Sequence, residues 1–299
     1  VLMYMLLMIF TLVGVAYFTL LERKVLGYIN NRKGPNKLWV MGLGQPLGDG
    51  LKLIIKEYIK PYMSVNTMFL FGPMMMFLLS FMMWMVVPLM YMIIDFNWGI
   101  LMILSLMSLM VYSLIFSGWA GSSKYSIYGA YRGVAQTISY EVSFILILLS
   151  IVMMMSSYNI QLFISYQFYS WNMLMMLPLT MMFFVSMLAE SNRTPFDFTE
   201  GESELVSGFN VEYSGYSFAL MFISEYSSIL FMSTIFTHMF LGGLSMQFMM
   251  KVMLVLFLFM LVRGSLQRFR YDFLMSLAWK YYLPMSLMFF IYYIFIKMM

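Results

Sequence analysis

Apolar runs without charge recur along this chain, and one of them, residues 142–189, carries no charged side chain at all. A helix needs roughly 20 predominantly apolar residues to cross a bilayer. The run 142–189 is too long for one crossing, and its polar middle (Ser156, Ser157, Tyr158, Asn159 and Gln161) supplies a turn between two. The same reading over the whole chain predicts an all-α polytopic membrane protein. Eight spans are expected, near 1–21, 68–91, 98–118, 138–156, 171–190, 216–238, 248–268 and 281–297. A mean hydropathy of +0.85 with 19% aromatic residues agrees, being far from the composition of a soluble domain.

The bases orient these spans. Segments 22–67, 119–141, 190–215 and 263–280 hold fifteen of the seventeen Lys and Arg residues, leaving only Lys251 and Lys297 on the other side. Basic loops stay on the cytoplasmic side or its organellar equivalent, so both termini are expected opposite them, as an even number of spans requires. Residues 1–299 then read as a single transmembrane domain with four loops on the basic side. The first span lacks a basic leader and a small-residue cleavage site and runs straight into Glu22-Arg23-Lys24, so it reads as retained.

Within 22–67, Gly34-Pro35-Asn36 marks a turn and Pro46 opens a helix. Leu47, Leu51, Ile54, Ile55 and Tyr58 fall on one face, with Asp49, Lys52, Lys56 and Lys60 on the other. That pattern describes an amphipathic helix in the membrane interface, either an anchor whose lysines meet lipid phosphates or a wall beside a ligand entrance. Internal repeats of the transporter kind are not evident.

No cysteine is present, which removes disulfides, thiolate-held iron–sulfur clusters and zinc–thiolate sites together. A lone His238 cannot form a bis-histidine haem site. The chain is therefore expected to carry no redox centre of its own and to bind no metal. Thirty-nine methionines exceed ordinary core filling. A genetic code that reads an isoleucine codon as methionine, as in mitochondrial genomes, produces such a count.

Carboxylates are rare here, and six of the thirteen acidic side chains fall within 189–213: Glu190, Asp197, Glu200, Glu202, Glu204 and Glu212, against one base, Arg193. Phe196, Phe198 and Phe209 are interspersed with them, unlike a solvated acidic run. Asn192, Arg193, Thr194 and Asp197 around Pro195 could cap the fifth span, with Arg193 a structural clamp. Glu141, Glu190 and Glu225 start, end and enter the fourth, fifth and sixth spans, so these helices could bring three carboxylates to one vestibule. Ionisable residues in a membrane are costly and mark proton or ion paths; the plainer alternative is ion-paired packing. Glu225 has no base one turn away, its neighbours being Met221, Phe222, Ser228 and Ile229, so its partner must come from elsewhere. Arg263, Arg268 and Arg270, followed by Asp272, form a basic counterpart that could face docked protein, lipid headgroups or the acidic loop. No nucleotide loop, nucleophile triad or zinc motif accompanies them, and nothing suggests a nucleic-acid partner.

Several blocks, in order over nearly the whole chain, resemble one family. They are Leu21-Glu-Arg-Lys-Val-Leu-Gly-Tyr28, Arg32-Lys-Gly-Pro-Asn36 with Gln45-Pro46 and Asp49, Lys52-Leu53 with Lys56-Glu57, and Ser117-Gly-Trp-Ala120. Gly129-Ala130, Arg132, Ala135-Gln-Thr-Ile-Ser-Tyr-Glu141, Asn192 to Asp197, Glu200 to Tyr213 and Phe269-Arg-Tyr-Asp272 follow. Together they resemble the chain 1 family of proton-pumping NADH–ubiquinone oxidoreductase, respiratory complex I, in its mitochondrially encoded form. Trp39-Val40, Tyr58-Ile59 and Gln267 depart from the family's usual prolines, which touches loop stiffness but no charged position.

The resemblance implies a subunit of the mitochondrial inner membrane, both termini in the intermembrane space, docked under a peripheral arm. Partner subunits would hold FMN and the iron–sulfur clusters; ubiquinone would be the substrate; adjacent membrane subunits and phospholipid would be further partners. Arg23, Asp49, Arg193, Asp197, Phe198, Glu200, Glu204 and Phe209 would belong to the quinone chamber or its mobile loop. Glu141, Glu190, Glu202 and Glu225 would begin the proton path, and Arg268, Arg270 and Asp272 would serve docking. The competing readings are an ion transporter using the same carboxylates without an electron-transfer partner, and a purely structural anchor for a peripheral complex.

Overall fold

The computed structural model describes residues 2–88, 96–167, 170–199, 201–243 and 247–298, the side chains at 2, 202 and 203 excepted. Among them the chain is helical with no strand. The helices are α1 (Leu2–Ile29), α2 (Gln45–Ile55), α3 (Asn66–Trp84), α4 (Gly99–Ala120), α5 (Lys124–Met155), α6 (Ile160–Tyr166), α7 (Asn172–Met175), α8 (Leu177–Glu190), α9 (Glu202–Leu205), α10 (Gly215–Phe240), α11 (Phe248–Ser265), α12 (Tyr271–Ser276) and α13 (Leu283–Met298). Seven helices are long and apolar enough to cross a membrane, the last being the continuous Tyr271–Met298, and α8 is a shorter apolar helix at the fifth expected span.

α5 organises the bundle, packing against α4, α8 and α13, while α3 lies between α4 and α10, and α10 also meets α1, α2 and α11. The core between them is aromatic and sulfur-rich, with Tyr140, Phe144, Phe183, Phe231, Phe240, Met107 and Met187 almost fully buried. Serines tolerate this low-dielectric interior because each hydroxyl donates to a carbonyl one turn back: Ser117 to Leu114, Ser143 to Tyr140 and Ser224 to Met221, at 2.6–2.9 Å.

Several helix ends lie outside the expected bounds. α1 continues through Glu22-Arg23-Lys24 to Ile29, and α5 starts at Lys124 rather than near 138. The last helix starts at Tyr271 rather than 281, through a π-helical turn at Leu277–Tyr282. The extensions of α1 and α5 are rich in charged and polar residues, and Lys, Arg and Glu are good helix formers once out of the bilayer core; that of the last helix carries Asp272 and Lys280 around an apolar stretch. The fifth span is broken at Met176, with Pro178 in the first turn of α8. The amphipathic helix stops at Ile55, since Lys56 is extended (ψ 133°), so Tyr58, Lys56 and Lys60 lie beyond it. Tyr58 instead stacks on Tyr216 of α10, ring centroids 4.9 Å apart. Gly215, with φ +61°, brings the start of α10 against the carbonyls of Lys56 and Glu57, an approach no side chain would permit without strain. The turn at 156–161 is as expected: Ser156 is left-handed and the Asn159 side chain caps α6.

Candidate functional site

The acidic segment is folded tightly onto α5. Gln136, fully buried, donates both amide hydrogens, one to Ala189 O and one to Phe196 O, each at 2.8 Å. Phe269 N–H donates to Pro195 O at 3.1 Å, tying in the chain after α11. Phe196, Phe198 and Phe209 are buried. Gly129 and Gly133 make room for the segment: a Cβ on Gly133 would lie 2.3 Å from Thr199, and one on Gly129 would lie 2.9 Å from Phe209 N. At its end Tyr213 stacks on Phe69 (4.2 Å) and donates its hydroxyl to Ser117 O (3.0 Å).

Held this way, the segment delivers Glu190 and Arg193 to the centre of the bundle. Glu190 and Glu225 line one cleft of about 50 Å³ with Thr137, Asn192, Ser224 and Ser228 on its polar side and methionines of α3, α4 and α10 on its apolar side. Glu141, one turn beyond Thr137 on α5, lies close enough to Glu190 for the two charges to interact. Arg193 donates to Glu225 at 3.4 Å, and its guanidinium also lies over the Tyr226 ring, 4.5 Å from the centroid. This is the distant partner that Glu225 required, supplied by the loop rather than by a neighbouring turn.

A second, smaller cleft, about 20 Å³, is lined by Arg193 together with Phe18, Glu22, Ile229, Phe259, Met260 and Arg263. Here Tyr226 donates its hydroxyl to Glu22 at 2.8 Å, and Glu22 is ion-paired with Arg263. Glu141, Glu190, Glu225, Arg193, Tyr226, Glu22 and Arg263 thus form one succession of ionisable or hydrogen-bonding groups through both clefts. Arg193 lines the second cleft and binds Glu225, which lines the first.

The other expected site residues fall around this centre. Arg268 and Arg132 both bind Glu204, Arg268 at 2.7 Å, and Arg268 lies over Phe198. The Arg132 hydrogen bond holds the Glu204 carboxyl below the usual carboxylate range; slight burial opposes it, and the charge of Arg268 adds to it. Arg268 therefore faces the acidic loop, while Arg270 pairs with Asp272 in solvent (3.1 Å). Arg23 pairs with Asp49 at 2.5 Å, joining α1 to α2. Asp197 is half-buried between Phe196 and Phe198. Glu200 and the Glu202 side chain lie outside the described residues.

The sequence assigns Glu22, Tyr226 and Gln136 no site role, Glu22 and Gln136 standing only within the family-like blocks. Glu22 had a signal: with Val15 and Phe18 it falls at i, i+3, i+7 on one face of α1, and all three are buried.

Fold and site define a multi-pass membrane protein whose carboxylates and arginines are gathered in clefts between its spans. The sequence model of the family described as NADH dehydrogenase matches residues 2–294. NADH-ubiquinone oxidoreductase chain 1 of Aedes aegypti is 52% identical over 295 residues, covering 98% of this chain and 94% of that protein. The protein of the same name from Locusta migratoria is 50% identical over 301 residues (100% and 96%), and that from Lampetra fluviatilis 49% over 292 (95% and 91%). The chain belongs to the NADH dehydrogenase family.

Proposed function

We propose that this chain is the membrane subunit through which a mitochondrial NADH–ubiquinone oxidoreductase admits ubiquinone and couples its reduction to proton translocation. The names of its relatives support the assembly, and the succession of groups through the two clefts supports the role. Phe18, Ile229, Phe259 and Met260 around the smaller cleft would give an apolar quinone its lining where it enters, and Glu190 and Glu225 in the larger would exchange protons. Electrons would come from FMN and iron–sulfur clusters on partner subunits, this sequence having no cysteine with which to hold a cluster.

The observation that carries the reading is Arg193. One guanidinium is shared between Glu225 in the larger cleft and the Tyr226–Glu22 pair bordering the smaller. A proton gained by Glu225 weakens its hold on Arg193 and lets that charge bias the Glu22 side. A change of charge at the quinone side acts back on Glu225 by the same route, as linkage requires. Glu141 and Glu190 would pass the proton onward to adjacent membrane subunits. Arg23 and Asp49 would brace α2 against α1 at the chamber mouth, and the Arg132–Glu204–Arg268 cluster would latch the loop. Arg270 and Asp272, exposed beside it, would meet the peripheral arm.

Glu225→Gln in the whole assembly tests this. The near-isosteric amide preserves packing and removes the exchangeable charge. Assembly and inhibitor binding should persist, while proton-coupled turnover falls by at least about tenfold, equivalent to roughly 1.4 kcal/mol on the barrier. Wild-type pumping in an assembled variant would reduce Glu225 to a packing residue.

A further inference from the structure

α2 and the segment after it are exposed in a way the proposed quinone role does not use. The helix has no buried residue, and a methyl group added at Gly48 or Gly50 would meet nothing within 4 Å. Leu51, Ile54, Ile55 and Ile59 are 58–79% exposed, and Tyr62 is fully so. Lys52, Lys56 and Lys60 are exposed among them, and none is in an ion pair among the described residues. Asp49, the acid of α2, is already bound by Arg23 and Gln45, and the one acid within 51–62, Glu57, is exposed beside Lys56, leaving the segment a net charge of +2.

The topology says where this surface sits. α1 ends at Ile29 and α3 begins at Asn66, and both are of spanning length, so everything between them lies at one face of the bilayer. Aliphatic side chains at that level meet acyl chains, and lysines beside them meet the phosphate layer. Tyrosine is favoured at the same depth. A zwitterionic surface gives three unpaired ammonium groups no net partner, whereas an anionic one does.

We propose that residues 51–62 form a seat for the headgroups of anionic phospholipids, with Lys52, Lys56 and Lys60 binding phosphate and Leu51, Ile54, Ile55 and Ile59 gripping the acyl chains. Only the membrane-spanning fold is needed for this, so it stands or falls apart from the quinone reading. Each lysine should enrich anionic lipid by about fivefold and Glu57 should offset one of them, leaving an enrichment on the order of thirtyfold at low salt.

The test uses the intact assembly in nanodiscs with equal parts phosphatidylglycerol and phosphatidylcholine, one of them carrying a photoactivatable acyl chain. Labelled peptides are mapped by mass spectrometry. Phosphatidylglycerol should label 51–62 at least about tenfold more than phosphatidylcholine, and the preference should fade in high salt. It should disappear in the K52Q/K56Q/K60Q variant and persist when the same lysines become arginine. Equal labelling by the two lipids, a preference indifferent to charge removal, or no labelling because a partner subunit covers the segment would each overturn the proposal. If the glutamine variant fails to assemble, the two-lipid comparison on the wild-type assembly decides by itself.

Discussion

Replacing Gln136 by leucine removes a clamp without changing side-chain volume much, and its cost can be worked from the geometry. The amide donates to Ala189 O and Phe196 O at 2.8 Å, joining the end of α8 to the loop beyond Pro195. Neither carbonyl is orphaned by the change. Ala189 O still accepts from Asn192 N–H at 3.3 Å, and Phe196 O from Phe198 N–H at 3.1 Å. The loss is therefore the net value of two hydrogen bonds, about 0.5–1.5 kcal/mol each, not the larger penalty of bare buried acceptors. A total of about 1–3 kcal/mol corresponds to roughly 5- to 150-fold in a local opening equilibrium, at 1.4 kcal/mol per decade. Hydrogen exchange on the purified assembly reads this directly at Phe196 and Phe269, whose amides donate to Arg193 O and Pro195 O. Both should exchange faster by that factor, with α4 unchanged. Exchange within twofold of wild type would mean that the aromatic packing of Phe196, Phe198 and Phe209 alone holds the loop.

Two further outcomes follow from the same geometry. Glu204 has a depressed carboxyl pKa in the folded protein, so its contribution is present above the unfolded carboxylate value near 4.5 and is lost as pH falls through the folded one; protease cutting within 201–213 should rise over that acidic window, and Glu204→Gln should abolish the dependence. The Glu204 side chain is 47% exposed, so added salt should loosen the latch as well. Lys251 donates to Leu241 O (2.7 Å) and Gly242 O (3.2 Å) at the carboxyl end of α10 and lies over Trp171. Lys251→Met should therefore destabilise that end by about 1–2 kcal/mol, seen as faster exchange over 237–241, with Lys251→Arg close to wild type.

The contrast between what the sequence showed and what it hid has a physical basis. Crossing helices are legible because a bilayer demands long apolar runs, and the turn at 156–161 is legible because Ser and Asn appear where nothing else polar does. Helix ends are not, because Glu22, Arg23 and Lys24 continue α1 as readily as they would end it. Glu225 was legible as an acid in need of a partner, since no base lies one turn away. That the partner is Arg193 was not, because only a loop folded back onto α5 brings it there. The same holds for Arg268, which could have met lipid, protein or the acidic loop and meets Glu204.

That pattern bears on how the site works. Local ion pairs within one helix would be fixed by the helix itself. Here Glu225, Glu204 and Glu22 each take a cation from a different segment: Arg193 from the loop, Arg132 and Arg268 from α5 and from the chain after α11, Arg263 from α11. A buried pair loses much of its stability when one partner is neutralised, because the other charge is left in a low dielectric. Protonating Glu22 or Glu225, the two in buried pairs, would therefore act on the contact between two segments, not on one helix alone. In the proposed role, Arg193, held by Glu225 and lying against the Tyr226 ring, is where such a change would pass from one cleft to the next.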